Sequence, residues 1–553
     1  MVLSLRIHKA LQALGNMLTL GVAAFYLTGC GQEAPSRPPC PAGKVCIQAG
    51  NTSEPVSLDP HKTTGTWEER LTSAMLTGLT EDAPDGTPAP GMAERWETSR
   101  DGLVWTFYLR DAVWSDGVPV TADDFVFALR RIMNPKTASE YASLLYFIKG
   151  AQPANEGKAP VEAIGVRALS PKVLQITLEH PAPYILELAK HQTMAPVPRH
   201  VVEKWGDAWT QPGRYVSNGP YVLKAWRLGD YVKLVKNPRF YAADKVCVDE
   251  AYFYPTNDAT MAERRVARGE LDFNTDLQSN RISFLRGKMP GYVRTDTYLG
   301  VSYLAYNADV PALQDKRVRV ALSMAIDRDF ITQKLLRGGQ QAAYTFVPPG
   351  VANYSPAAPP AWAAWSFEKR QAEARRLLAE AGYGPDRPLK IEIKHRNSAD
   401  PMLFMPAIQA DWKAVGVDAT LAQNETQIAY AAYRSRDFQV ADASWIADYN
   451  DPMSFLYLQQ SATGAQNYGD YKNPVYDALL ARADMEADAT ARAAHLAQAE
   501  RTMLEDAPVA PLYFYVSKNL VSPKITGWTD NIVDHHRLRY LCVKGAPGPN
   551  QPR

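Results

Sequence analysis

Ser444-Trp445-Ile446-Ala447-Asp448-Tyr449-Asn450-Asp451-Pro452 places one carboxylate, Asp448, directly after an apolar run and between the aromatic side chains of Trp445 and Tyr449. An ionised carboxylate in such surroundings needs a cation, because burying it unpaired costs several kcal/mol. Either an internal Arg or Lys supplies the charge, or a ligand does. We read Asp448 as ligand-facing; the alternative is a turn aspartate that caps the backbone ahead of Asn450-Asp451-Pro452.

Around this segment lie 553 residues, too many for one hydrophobic core, so two or three domains are expected. The composition, 46% hydrophobic and 22% charged with a net charge of +1, is that of a soluble globular protein, and without a basic run it gives no basis for a nucleic-acid partner. At the N-terminus Arg6, His8 and Lys9 precede an apolar run from Leu11 to Leu27, which predicts a signal peptide over residues 1–29. The run ends in Leu27-Thr28-Gly29-Cys30, a lipobox-like sequence in which Cys30 becomes the lipidated first residue; the alternative is an ordinary cleavage site with an incidental Cys. Acyl chains contribute about 0.8 kcal/mol per buried CH₂, so such a protein is membrane-tethered and not membrane-spanning. Residues 30–44 read as a lipid-anchored flexible stalk, rich in proline after Gly31.

Cys40, Cys46, Cys247 and Cys542 remain, an even number that in an exported chain permits two disulfides, with Cys40 and Cys46 closing a small loop; four unpaired thiols are the alternative. No Cys-x-x-Cys and no suitably placed His suggests a metal, and no cofactor is expected. Helices are predicted over Glu368 to Gly382, with Ala372, Leu377, Leu378 and Ala381 on one face and Arg370, Arg375 and Arg376 solvated, over Pro474 to Glu486, and over Ala491 to Asp506 with Thr490 as its cap. Strand-like runs include Val104 to Leu109, Val173 to Leu178, Tyr231 to Leu234, Leu389 to Lys394 and Leu512 to Val516. This mixture suits α/β lobes. Gly-x-Ser-x-Gly, His-Glu-x-x-His and Walker A motifs are lacking, and Asp123-Asp124 stand where they would cap a helix, so the chain is read as a binding protein and not an enzyme.

Several further segments carry a resemblance: Ser57-Leu58-Asp59-Pro60-His61-Lys62, Trp105-Thr106-Phe107-Tyr108-Leu109-Arg110, Trp114-Ser115-Asp116-Gly117, Val120-Thr121-Ala122-Asp123-Asp124-Phe125, Ser217-Asn218-Gly219-Pro220-Tyr221 and Ile326-Asp327-Arg328. In this order the chain resembles the peptide-binding receptors of bacterial ABC transporters, family 5 of the extracellular solute-binding proteins. The resemblance implies a two-lobed periplasmic-binding-protein-like α/β fold with a hinge of two crossing strands. Lobe I would be built from residues 45–76, 201–299 and 515–553, an inserted domain II from 77–200, and lobe III from 300–514. It also implies a monomeric extracytoplasmic receptor that captures oligopeptides in a closing cleft and delivers them to a permease with a separate ATPase. Two other readings stay open: the same fold receiving a different cationic solute, such as a cell-wall peptide or a chelate, and a secreted hydrolase or chaperone-like lipoprotein.

By resemblance Asp448 holds the peptide's α-ammonium, Trp445 walls a side-chain pocket or is simply a core tryptophan, Tyr141 contacts the ligand near its amino end, and Ser444 and Ala443 offer extended backbone. Thr64 and Thr66 lie in the opposing segment, where Thr64 replaces a glutamate of oligopeptide-binding members. Asp442 replaces an arginine and Pro401 a histidine that serve ligand carboxylates, which leaves Arg434 as the carboxylate candidate. Asp442 either adds a second negative charge to the cleft or pairs with a protein cation. Gly300 and Ile446 occupy two cysteine positions of those members, and a Cys247 to Cys542 bridge within lobe I is expected to compensate.

Overall fold

The computed structural model describes residues 38–486 and 488–546, so the signal segment and Cys30 lie outside the described residues. The elements below belong to the unit formed by residues 42–553. Strand β1 (Cys46–Gly50) is buried along its whole length. It sits in the interior of a seven-stranded sheet, parallel to Glu250–Tyr254 on one side and to Phe273–Asn274 on the other. Burial on both faces explains why this run shows no polar alternation. Its one polar side chain, Gln48, accepts a 2.7 Å bond from the Tyr254 hydroxyl.

A second sheet holds six strands, among them β2 (Thr297–Tyr306), β3 (Leu389–Arg396), β4 (Val440–Ile446) and β5 (Val509–Val516), in the order Gln341–Ala342, β5, β2, β4, β3, Val417–Asn424. A third, four-stranded antiparallel sheet comes from Ala93–Thr98, Val104–Leu109, Val166–Ser170 and Val173–Thr177, with helix Ala122–Met133 packed on it. That helix opens with a capping box in which Asp124 accepts a 2.9 Å bond from the Thr121 amide.

The chain passes twice between the first two sheets. Val293–Arg294 of the first leads into β2, and β5 leads into β6 (Asn519–Val521) of the first. The crossings are tied together: the Ser517 amide donates to the Asp296 carbonyl at 2.8 Å, and the Asp296 amide donates to the Ser517 hydroxyl at 2.9 Å.

Among the helices, α1 (Thr66–Met75) follows an extended Gly65, and α2 (Phe367–Glu380) departs from the expected facing. Arg370 is buried, not solvated, and Ala372 is exposed, because the inward stripe runs through Arg370, Ala374 and Leu378. The guanidinium is accommodated there by the Ile326 carbonyl at 3.3 Å and the Tyr344 hydroxyl at 3.2 Å. Helix α3 (Ala399–Ala414) carries Pro401 in its first turn, and α4 (Ala489–Asp506) starts before the expected Thr490 cap. Asp488 caps it, accepting a 2.8 Å bond from the Ala491 amide; a carboxylate at this position also meets the positive end of the helix.

Cys247 and Cys542 are disulfide-bonded across 295 residues, with a Cα separation of 5.4 Å. Cys40 and Cys46 are also disulfide-bonded residues. Gly300 on β2 faces Ile446 on β4 in register, and a Cβ on residue 300 would come 2.4 Å from Ile446 Cδ1, so the isoleucine fills the space between the two positions. Replacing Cys247 and Cys542 together by alanine is expected to lower unfolding stability by about 2–4 kcal/mol, because the open chain regains the freedom of a long loop. Denaturant titration without reductant measures this, and a variant as stable as its parent would show the bridge to be energetically idle.

Candidate functional site

Strand β4 is paired unequally on its two edges. On one side it pairs with β2 over its whole length, from Val440 opposite Tyr306 to Ile446 opposite Gly300. On the other, β3 pairs with Val440 and Ala441 alone. From Asp442 to Ile446 the second edge therefore has no strand among the described residues, and an unpaired edge of this kind accepts an added strand. Asp448 follows two residues after the strand ends.

The backbone around Asp448 is held firmly: the Ala447 amide donates to the Leu299 carbonyl at 2.8 Å and the Asp448 amide to the Ser454 hydroxyl at 2.9 Å. Its carboxylate is not neutralised. Oδ2 is inaccessible to solvent and has no hydrogen-bond partner, and no Lys, Arg or His forms an ion pair with Asp448 among the described residues. Burial pushes this carboxyl up to about 7, opposed by the neighbouring Tyr141 hydroxyl. Tyr141 is itself buried, and its hydroxyl donates to the Thr64 carbonyl at 3.4 Å. Asp448, Tyr141 and the segment at Thr64 thus converge although they are remote in sequence. The ring of Trp445 meets Tyr457 edge-on, with centroids 5.9 Å apart, and its Nε1 is a buried donor without a partner.

Next to this corner lies a cavity of about 330 Å³, lined by Thr66, Glu69, Arg70 and Ser73 of α1, by Ser444 and Ile446 of β4, by Arg396, Tyr298, Tyr515 and Lys518, and by residues 534–538. Asp442 contributes no free charge to it. Its carboxylate is fully buried and takes a forked pair of bonds from Arg396, Nε to Oδ2 at 2.9 Å and Nη2 to Oδ1 at 3.1 Å. Burial opposes the charge on Arg396, but the Asp442 carboxylate outweighs it and holds the guanidinium well above its usual range. Arg396 Nη1 donates to the Ser444 hydroxyl and to the Tyr430 hydroxyl, each at 3.0 Å, so the Ser444 side chain belongs to the same network. Ala443 is buried in β4, Thr64 is exposed with its carbonyl toward Tyr141, and Thr66 opens α1 at the cavity wall. Arg434 is exposed in the last turn of helix Thr426–Arg434, away from the cavity lining.

Sequence reasoning missed Arg396 and, beyond Thr66, the row of α1 that faces the cavity. The row was readable: Thr66, Glu69, Arg70 and Ser73 follow helical spacing. Arg396 carried no local signal, since it terminates an ordinary strand and acquires its role only beside Asp442, 46 residues away. Among the described residues no group of three or more His, Cys, Asp or Glu side chains is placed to hold a metal ion.

Residues 87–467 match the family model described as bacterial extracellular solute-binding proteins, family 5, middle region. The chain is 38% identical over 524 residues to the periplasmic oligopeptide-binding protein OppA of Escherichia coli, covering 93% of this chain and 95% of that one. The crystal structure of Haemophilus influenzae OppA in complex with the peptide RPPGFSPFR superposes with a TM-score of 0.85 at 33% identity, covering 90% of this chain and 99% of that one. A periplasmic murein tripeptide binding protein, MppA, in an unliganded open form superposes with a TM-score of 0.71 at 35% identity, covering 91% of this chain and 98% of that one. The chain belongs to the bacterial extracellular solute-binding proteins of family 5.

Proposed function

We propose that this protein is the peptide-capturing receptor of an ABC importer, binding its ligand as an added strand on the free edge of β4 with the α-ammonium against Asp448. One observation carries the reading: a carboxylate whose Oδ2 is sealed from solvent, with no protein cation paired to it among the described residues, stands just past the end of an unpaired strand edge. Backbone pairing along the edge is indifferent to side chains, whereas the ammonium fixes the register. Because Asp448 is the unneutralised end and Asp442 is paired, a peptide starting at Asp448 runs antiparallel to β4.

The lobes are assigned accordingly. Residues 45–76, 201–296 and 517–553 build one lobe around the first sheet and 297–516 the opposing lobe around the second, because β2 begins at Thr297 and β5 runs to Val516, three and two residues outside the expected bounds of 300 and 514; 77–200 form the inserted domain, and the bonded crossings at Asp296 and Ser517 act as the hinge. The higher TM-score with the peptide complex than with the open form supports a closed arrangement of these lobes. On this reading the protein is a monomeric receptor and not an enzyme. It is tethered outside the cytoplasm through Cys30 and serves a permease driven by a separate ATPase.

Calorimetry with tripeptides bearing free or acetylated amino termini tests the assignment. The free form is expected to bind and the acetylated form to lose nearly all affinity; equal affinities would remove Asp448 from the ligand. The pH profile is a second test. The empty receptor holds a proton on Asp448 below about pH 7, and that proton must leave when the ammonium enters. Affinity is therefore expected to fall roughly tenfold per pH unit on the acid side and to fall again above about pH 8, where the peptide amine loses its charge. Release of close to one proton at pH 6 is the calorimetric signature, and a flat profile from pH 5 to 8 would contradict it.

A further inference from the structure

We propose, resting on the peptide reading above, that Arg70 is a specificity-determining cation that receives a carboxylate of the bound peptide, from an acidic side chain or from the carboxyl terminus of a short ligand. The other cationic side chains of the cavity wall already have partners. Arg396 has Asp442 at 2.9 Å, Lys518 has Asp400 at 3.0 Å, and Arg537 has Glu69 at 2.7 Å. The imidazoles of His535 and His536 face Asp82 at 3.2 Å and Asp534 at 2.8 Å. Arg70 forms no ion pair among the described residues, and the hydrogen bond of its guanidinium goes to the neutral Asn51 Oδ1 at 2.8 Å. Burial outweighs the more distant attraction of Asp534 and Glu69 and holds Arg70 below its ordinary range, as expected of a desolvated cation that lacks a close counter-ion.

Its position suits a peptide held at Asp448. Arg70 projects from α1 one turn beyond Thr66, and the segment ahead of that helix receives the Tyr141 hydroxyl beside Asp448. The same cavity is lined by Ile446 and Ser444, two and four residues back from Asp448 along β4. At about 3.4 Å per residue the cavity opens roughly 7–14 Å from the ammonium, the span of two to four residues of an extended peptide. A space of about 330 Å³ would hold on the order of ten waters in the empty receptor, enough room for a side chain with its hydration.

The test is calorimetry on the full protein, its Arg70→Gln variant and its Arg70→Lys variant. One probe set is amidated alanine pentapeptides with a free amino terminus and Glu or Gln at the second to fifth position; the other is alanine tri- and tetrapeptides with free or amidated carboxyl termini. In at least one register the parent is expected to prefer the carboxylate by about tenfold. Arg70→Gln should erase that preference while leaving the amide peptides nearly unchanged, and Arg70→Lys should restore part of it. Preference within the Glu and Gln set identifies a side-chain partner, and preference within the free and amidated set identifies the terminus. Indifference of the parent in every register, discrimination retained by Arg70→Gln, or equal loss for acid and amide peptides would overturn the inference while leaving peptide binding intact. If no probe with a free amine binds the parent, the peptide reading itself fails and takes this inference with it.

Discussion

Asp448→Asn is expected to weaken binding of peptides with a free amino terminus by about 3–5 kcal/mol, roughly two to three and a half orders of magnitude, because it leaves the ligand's ammonium desolvated without a countercharge. The substitution keeps the size of the side chain, and the amide that holds Asp448 to Ser454 is a backbone group, so the local turn is preserved. Stability should not fall. Burial already disfavours the charged form of this carboxyl, so a neutral amide relieves the empty protein of an unpaired charge at neutral pH. Thermal unfolding read beside calorimetry therefore separates the two roles: lost affinity with unchanged or raised melting temperature is the expected pattern. An affinity within threefold of the parent would defeat the ammonium assignment.

Asp442→Ala is expected to act in the opposite sense, destabilising the fold by about 3–5 kcal/mol through the Arg396 guanidinium that it strands. The carboxylate is fully buried and both of its oxygens are occupied by that one arginine. A double replacement, Asp442→Leu with Arg396→Met, should recover most of the loss, since apolar residues of similar size often substitute for a buried pair without net cost. Urea titration of the two single variants and the double variant completes the cycle. A single variant within about 1 kcal/mol of the parent would mean that water reaches and screens the pair. The arrangement also explains how an aspartate can stand on the unpaired edge of β4 where the family's oligopeptide-binding members were expected to carry an arginine. The cation is still present nearby, delivered from β3, but it is already neutralised.

Much of the architecture could be read locally. Val104–Leu109 forms the strand expected of its β-branched and aromatic run, and Pro474–Met485 forms the predicted helix with Asn473 as its cap. Periodicity and capping act within a few residues, so they survive in the linear order. The inward face of α2 was misread because the long stem of Arg370 packs inside while its head finds a carbonyl, a choice made by neighbours at Ile326 and Tyr344. The start of α4 was displaced because two residues, Asp488 and Thr490, could each cap it, and the carboxylate prevailed.

The candidate site divides along the same line. The sequence alone determined that Asp448 sits in an apolar, aromatic setting and needs a positive partner, since that follows from the side chains beside it in the chain. Only the tertiary structure decided that, among the described residues, no cation pairs with Asp448, Arg396 neutralises Asp442, and Arg70 is left without a paired carboxylate. Charge pairing is settled over a few ångströms of space, and those ångströms join residues from strands and helices far apart along the chain.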